Sequence, residues 1–171
     1  MNNSNLIIRS AGLDDLPAIV SIYNSTVQSR MVTADTQFVT VEDKLAWFHE
    51  HNEERRPLWV VEEAETRTVC AWLSFQSFYG RPAYEATAEI SIYLHESTRG
   101  NGLGAYLLGK SLEACPSLHI ENLLGFIFAH NVPSLRLFQK FGFEKWGYLP
   151  QVAELEGIKR DLVILGRKIN M

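Results

Sequence analysis

The chain has 171 residues, 46% of them apolar and 21% charged, with a formal net charge of -4 and a pI near 5.7. That is the size and composition of one ordinary domain with a full core, and with no Lys/Arg run longer than Arg55-Arg56 it offers nucleic acid no basic field. No apolar run approaches a membrane span and "MNNSNLIIRS" lacks the basic start and apolar centre of a signal peptide, so a cytoplasmic protein without a membrane partner is expected.

In chain order, "LIIR" (Leu6 to Arg9) predicts a short strand. Leu13, Leu16, Val20, Tyr23 and Val27 then fall at helical spacing, with Asp14 as the expected cap and Pro17 in the first turn, where its missing N–H is not needed. A looser segment, "QSRMVTADTQFVT", leads to a second amphipathic helix around "VEDKLAWFHEHNE". "PLWVVEEAE" and "TVCAWLSFQSF", separated by Thr66-Arg67, predict an antiparallel hairpin. After the loop "YGRPAY", the strand "EATAEISIYL" places Ile90, Ile92 and Leu94 on one face and Glu89, Ser91 and Tyr93 on the other.

A glycine-rich stretch follows, and then a helix with the stripe Leu103, Leu107, Leu108, Leu112 that stops at Pro116. "NLLGFIFA" is apolar throughout, as a strand buried on both faces should be. The next helix is capped by Asn131, carries Pro133 in its first turn, lines one side with Leu135, Phe138 and Phe141, and ends at Gly142. Strands around "GFEKWGYLP" and "RDLVILGRK" complete the order βααβββαβαββ. With no linker or repeat, the fold class is α/β, a single domain over 1–171 with a mixed sheet flanked by helices. Cys70 and Cys115 read as small buried hydrophobes, and the five histidines form no metal pattern, so no metal is expected.

"STRGNGLGAYLL" raises the chemical question, because each glycine costs conformational entropy. A phosphate loop of nucleotide hydrolases needs a lysine and a hydroxyl after its last glycine, where Ala105 and Tyr106 stand instead; a dinucleotide fingerprint needs GxGxxG after the first strand. A glycine turn that opens a helix toward a pyrophosphate, with Arg99 alongside, satisfies the pattern. A tight turn alone accounts for one glycine more readily than for three.

These residues resemble the GNAT acyltransferases. Arg99, Gly100, Asn101, Gly102, Leu103 and Gly104 match that superfamily's R/QxxGxG/A motif, and the resemblance implies that this turn, with Ala105, holds the pyrophosphate of acetyl-CoA. It further implies that the main chain of Ile92, Tyr93 and Leu94 pairs with the pantetheine arm and that Asn131 lies beside it. The "IYNSTV" helix, "WFHEH", "YEATAEISIYL" and "GYLPQV" resemble the branch of phosphinothricin and methionine sulfoximine N-acetyltransferases. By that resemblance the partners are acetyl-CoA and a small amino-acid analogue, and the assembly is a homodimer.

An attacking amine must lose a proton, and a strand carboxylate beside the cradle can take it. Glu89 fits by position and matches the branch's general base, acting directly or through water. The main-chain N–H of Ile92 or Tyr93 is the candidate donor to the thioester oxygen. The tyrosine that many GNAT enzymes place seven residues after the asparagine is Phe138 here, so no general acid is assigned. Arg81 and Tyr84 suit a carboxylate or phosphinate and an aromatic wall. The resemblance implies substrate contacts at Pro82, Ala83 and Tyr84, and Phe38 stands either near the same pocket or in the core. Two alternatives remain open at this level: acetylation of a protein amino terminus or another amine, and a regulatory domain that binds acyl-CoA without turnover.

Overall fold

A computed structural model describes residues 5–170 of the chain. β1 (Leu6–Ser10), α1 (Leu16–Val27), α2 (Val41–His49), β2 (Leu58–Glu63), β3 (Val69–Ser77) and β4 (Thr87–Leu94) are followed by α3 (Leu103–Ala114), β5 (Asn122–Phe128), α4 (Val132–Lys140), β6 (Glu144–Leu155) and β7 (Ile158–Lys168). This is the element order read from the sequence. The strands form one sheet in the order β1-β2-β3-β4-β5-β7-β6, antiparallel at every neighbour except β4 and β5.

Helices cover both faces. On one, α1 packs Leu16, Ile19 and Tyr23 against Val60 and Trp72, with Trp47 and Phe48 of α2 alongside. On the other, Leu103, Leu107 and Leu108 of α3 and Phe138 of α4 pack against Leu73, Phe75, Ile90 and Ile127. Burying each such side chain contributes about 1.5–3 kcal/mol. Trp72 also ties α1 to the sheet, its Nε1–H donating to the Ile19 carbonyl at 3.1 Å.

Two local expectations are corrected. A one-turn 3-10 helix over Leu13–Asp15 precedes α1, which moves the helix start to Leu16 and leaves Leu13 51% exposed instead of in the core. Asp15, not Asp14, is the structured carboxylate there: it accepts from the Gly12 N–H at 2.7 Å and from Arg9 at 2.7 and 2.8 Å. Arg9 in turn reaches the buried Glu62 at 2.9 Å, stapling β1, β2 and the helix entry together. The second correction is β6, which runs past Pro150 to Leu155. Its pairing with β7 is irregular between Leu149 and Ala153, so Pro150 sits where no ladder bond is required. The apolar "RDLVILGRK" strand is β7, internal between β5 and β6, so its apolar character is explained by sheet position.

The one parallel pairing among the described residues is also the shortest. β4 and β5 pair at Thr87 with Asn122, Ala88 with Leu123 and Glu89 with Leu124, and no further. Beyond Glu89, β4 stays paired to β3 as far as Leu94, while β5 stays paired to β7 as far as Phe128. The two strands therefore part in the middle of the sheet.

Candidate active site

The parting of β4 and β5 leaves the β5-facing main chain of Ile90 to Leu94 without a strand partner. Three adjoining cavities follow it. One of about 150 Å³ lies in the opening itself, between Ile92, Gly125, Asn131 and Phe138. A second, about 500 Å³, extends from Ile92 and Leu94 to Arg99, Gly100, Gly102 and Ala105. The third, about 280 Å³, lies on the α1–α2 side and holds Glu89, Ser91 and Tyr93. Tyr93 borders all three, which lie in series from the glycine turn to Glu89.

The glycine turn has the backbone geometry of an anion cradle. Gly100 and Gly102 have φ of +74° and +79°, and a Cβ at either would meet nothing within 4 Å, so they are required by backbone conformation and face open space. Tyr106 makes the bond back to the Gly102 carbonyl at 3.0 Å, so the N–H groups of Leu103, Gly104 and Ala105 precede the first intrahelical bond of α3. Those free donors and the positive end of the helix suit a pyrophosphate. Arg99 donates to the Leu94 carbonyl at 3.2 Å and to Ser25 Oγ at 3.4 Å, which fixes its charge at the rim. Leu103 itself is buried, so only its main chain is open to the turn, and Asn101 is exposed there.

Asn131 caps α4, its Oδ1 accepting from the Ser134 N–H at 3.3 Å, and is 7% exposed at the opening. Phe138 belongs to the core and also walls the opening: a Cβ at Gly125 would stand 2.7 Å from its Cε1. The ring is thus seated on a bare stretch of β5, and carries no proton donor.

Glu89 is half-buried, and burial raises its carboxyl above the ordinary range, with no ion pair or hydrogen bond among the described residues to offset it. Such a carboxylate is a stronger base than a solvated one. Around it the alternation of β3 and β4 sets Gln76 opposite Glu89, Ser74 opposite Ser91 and Trp72 opposite Tyr93. The last pair stacks at 4.4 Å with planes 14° apart. Burial also pushes the Tyr93 phenol up, and the Tyr23 phenol, bonded to Thr33 and Asp35, to about 12.

The five acceptor-site residues read from the sequence stand apart from these cavities. Arg81, Pro82, Ala83 and Tyr84 are exposed on the loop before β4, the last three in a single 3-10 turn, and Tyr84 packs edge-on against Phe78 at 5.5 Å. Phe38 is 61% exposed, outside both the core and the cavities. Conversely, Lys44, Trp47, Ser74 and Gln76 line the Glu89 cavity and were not singled out from the sequence. A signal was present in "TVCAWLSFQSF", where Ser74 and Gln76 interrupt an otherwise apolar face. No cluster of three or more potential metal ligands is found among the described residues.

The "Acetyltransferase (GNAT) domain" family profile matches residues 5–144. The chain is 54% identical over 165 residues, 96% of its length and 100% of the relative's, to a protein of Bacillus subtilis (strain 168) that bears the provisional name phosphinothricin acetyltransferase YwnH. It is 30% identical over 158 residues, 92% of its length and 91% of the relative's, to the L-methionine sulfoximine/L-methionine sulfone acetyltransferase of Pseudomonas aeruginosa. A crystal structure of a GNAT superfamily phosphinothricin acetyltransferase from Sinorhizobium meliloti in complex with AcCoA superposes with a TM-score of 0.89 at 25% identity, covering 97% of this chain and 89% of that one. A glycine cradle, a sheet parted beside it and a chain matched almost end to end converge on one assignment: this protein belongs to the GNAT acetyltransferases.

Proposed function

We propose that the protein transfers the acetyl group of acetyl-CoA to the α-amino group of a small amino-acid analogue of the phosphinothricin, methionine sulfoximine or methionine sulfone type. The observation that carries this reading is Glu89, an unpaired and partly desolvated carboxylate at the point where the sheet opens onto the glycine cradle. The pyrophosphate of acetyl-CoA is held by the main-chain N–H groups from Gly100 to Ala105, with Arg99 at the rim. The unpaired main chain of Ile92, Tyr93 and Leu94 receives the pantetheine arm, with Asn131 on the far side of the opening.

Glu89, directly or through water, takes the proton from the acceptor ammonium, and the freed amine attacks the thioester carbonyl. A C–N bond forms and the C–S bond breaks; the main-chain N–H of Ile92 or Tyr93 bonds to the carbonyl oxygen as it gains charge. With Phe138 in place of a tyrosine, the thiolate leaves unprotonated or takes its proton from water. Arg81, Pro82, Ala83 and Tyr84, with Phe38, lie outside the cavities and enter this reading through the family resemblance, as contacts to an acceptor side chain that extends beyond the Glu89 cavity, where Arg81 suits a phosphinate or sulfone oxygen.

A cavity of about 280 Å³ supports a small acceptor over a peptide, since it lies below the range usual for drug-sized ligands. A homodimer is supported by the edge strand β6, which exposes Trp146, Tyr148, Leu149 and Val152. No helix among the described residues is long and apolar enough to cross a membrane, which is compatible with the cytoplasmic placement read from the sequence.

The test is free-thiol release from acetyl-CoA against methionine sulfoximine, methionine sulfone, phosphinothricin, ordinary amino acids, a polyamine and a peptide amino terminus. Release with the first three is expected. Release only with the peptide or polyamine would overturn the acceptor class, and silence throughout, with acetyl-CoA bound by calorimetry, would favour a non-catalytic sensor.

A further inference from the structure

The Glu89 cavity holds two charged side chains in its lining, Glu89 on β4 and Lys44 on α2. They are opposite in sign and yet do not pair: no ion pair joins Lys44 to any carboxylate among the described residues. Its neighbour Asp43 is turned back onto the Thr40 N–H, at 2.8 Å, and so is occupied elsewhere. The Lys44 ammonium is instead steered by aromatic faces, 4.5 Å from the Tyr23 ring centre and 5.5 Å from that of Trp47. Trp47 lies three residues on along α2 and lines the same cavity.

A second polar group in the lining is also unmatched. Ser74 is 1% exposed, and its Oγ has no hydrogen-bond partner among the described residues. An unsatisfied buried hydroxyl costs about 1–3 kcal/mol unless something polar occupies the space beside it. The cavity therefore presents a cation, a carboxylate and a free hydroxyl, none of which satisfies another, between the rings of Trp47, Trp72 and Tyr93.

We propose that Lys44 anchors the α-carboxylate of the acceptor, with the Ser74 hydroxyl as a further hydrogen-bond partner, and thereby restricts the reaction to amino acids with a free carboxylate. This rests on the acetyl-transfer reading above and names which part of the acceptor faces which wall. The acceptor's α-ammonium meets Glu89, its carboxylate meets Lys44, and its side chain runs outward toward the Arg81 loop. An α-amino acid carries both charges on groups attached to one carbon, as a small site with two separated unpaired charges requires. An amide or a simple amine would leave Lys44 without an anion to bind.

The experiment measures kcat/KM for methionine sulfone, its α-carboxamide, and the amine left when the carboxylate is removed, for the parent enzyme, Lys44→Met and Lys44→Arg. Methionine keeps the aliphatic packing on the two rings while removing the charge. The parent is expected to prefer the carboxylate form by about 10- to 100-fold, the range for a hydrogen bond to a charged group. Lys44→Met loses that preference by raising KM for methionine sulfone, with KM for acetyl-CoA unmoved and the two acceptors that lack a carboxylate little affected; Lys44→Arg restores most of it. A Lys44→Met enzyme that still prefers the carboxylate by the parental factor would overturn the role of Lys44 while leaving acetyl transfer intact. A parent that acetylates none of the three would overturn the acceptor class itself, and the anchor with it.

Discussion

Glu89 stands opposite Leu124 in the last register pair that joins β4 to β5. One residue further on, the sheet has opened. The candidate base is therefore held by ladder bonds on the closed side of the opening, while Ile92 and Leu94 on the same strand remain free to bond a ligand's amides. A single strand thus fixes the distance between the candidate base and the proposed thioester site, with no loop between them.

The raised Glu89 carboxyl makes a prediction about stability. Because the fold favours its neutral form, Glu89 contributes stability that is fully present below the unfolded pKa and is lost as pH rises through the higher folded value. Glu89→Gln is neutral at every pH. It should match the parent in acid and exceed it in thermal stability near neutrality, as expected of a site where function is held at a stability cost. Thermal melts from about pH 4 to pH 8 check this; a variant less stable than the parent near neutrality would show that the Glu89 carboxylate is paired.

Gly102 opens α3 with a φ of +79°. Alanine there meets no atom, yet must adopt the left-handed region at a cost of about 1–2 kcal/mol. Gly102→Ala should therefore weaken acetyl-CoA binding, measured by calorimetry, by shifting the N–H groups of the cradle, and leave KM for the acceptor near the parental value. Unchanged affinity for acetyl-CoA would remove the turn from the binding site.

Arg81 is exposed and carries no ion pair among the described residues. Its removal should leave stability within about 0.5 kcal/mol, as for other surface substitutions. Arg81→Ala should raise the apparent KM for the amino acid far more than that for acetyl-CoA, in steady-state kinetics with each substrate varied in turn. Equal effects on both would place Arg81 outside the acceptor site.

The sequence disclosed the framework because its signals are local. The alternation of "EATAEISIYL" set Glu89 and Tyr93 on one face and Ile92 on the other, which is how β4 lies in the sheet. The glycine turn, Asn131 and Gly142 were readable because caps and left-handed turns demand particular residues. The Glu89 cavity was not readable, since it is made by tertiary proximity. Lys44 and Trp47 come from α2, Ser74 and Gln76 from β3, and only the packing of α2 over the β3–β4 pair brings them to Glu89. The entry to α1 differs by one residue because Asp14 and Asp15 are adjacent carboxylates of the same kind, and Arg9, six residues upstream of Asp15 but adjacent in space, selects Asp15 together with the Gly12 N–H.

The most direct measurement is the pH dependence of thiol release from acetyl-CoA with methionine sulfone, for the parent and Glu89→Gln. The parental rate should climb as pH rises through the raised Glu89 value and then level off. Glu89→Gln should bind acetyl-CoA normally, lose about 10²- to 10⁴-fold in kcat, and lack that limb. Parental rates and an unchanged pH profile in Glu89→Gln would contradict general-base catalysis by Glu89.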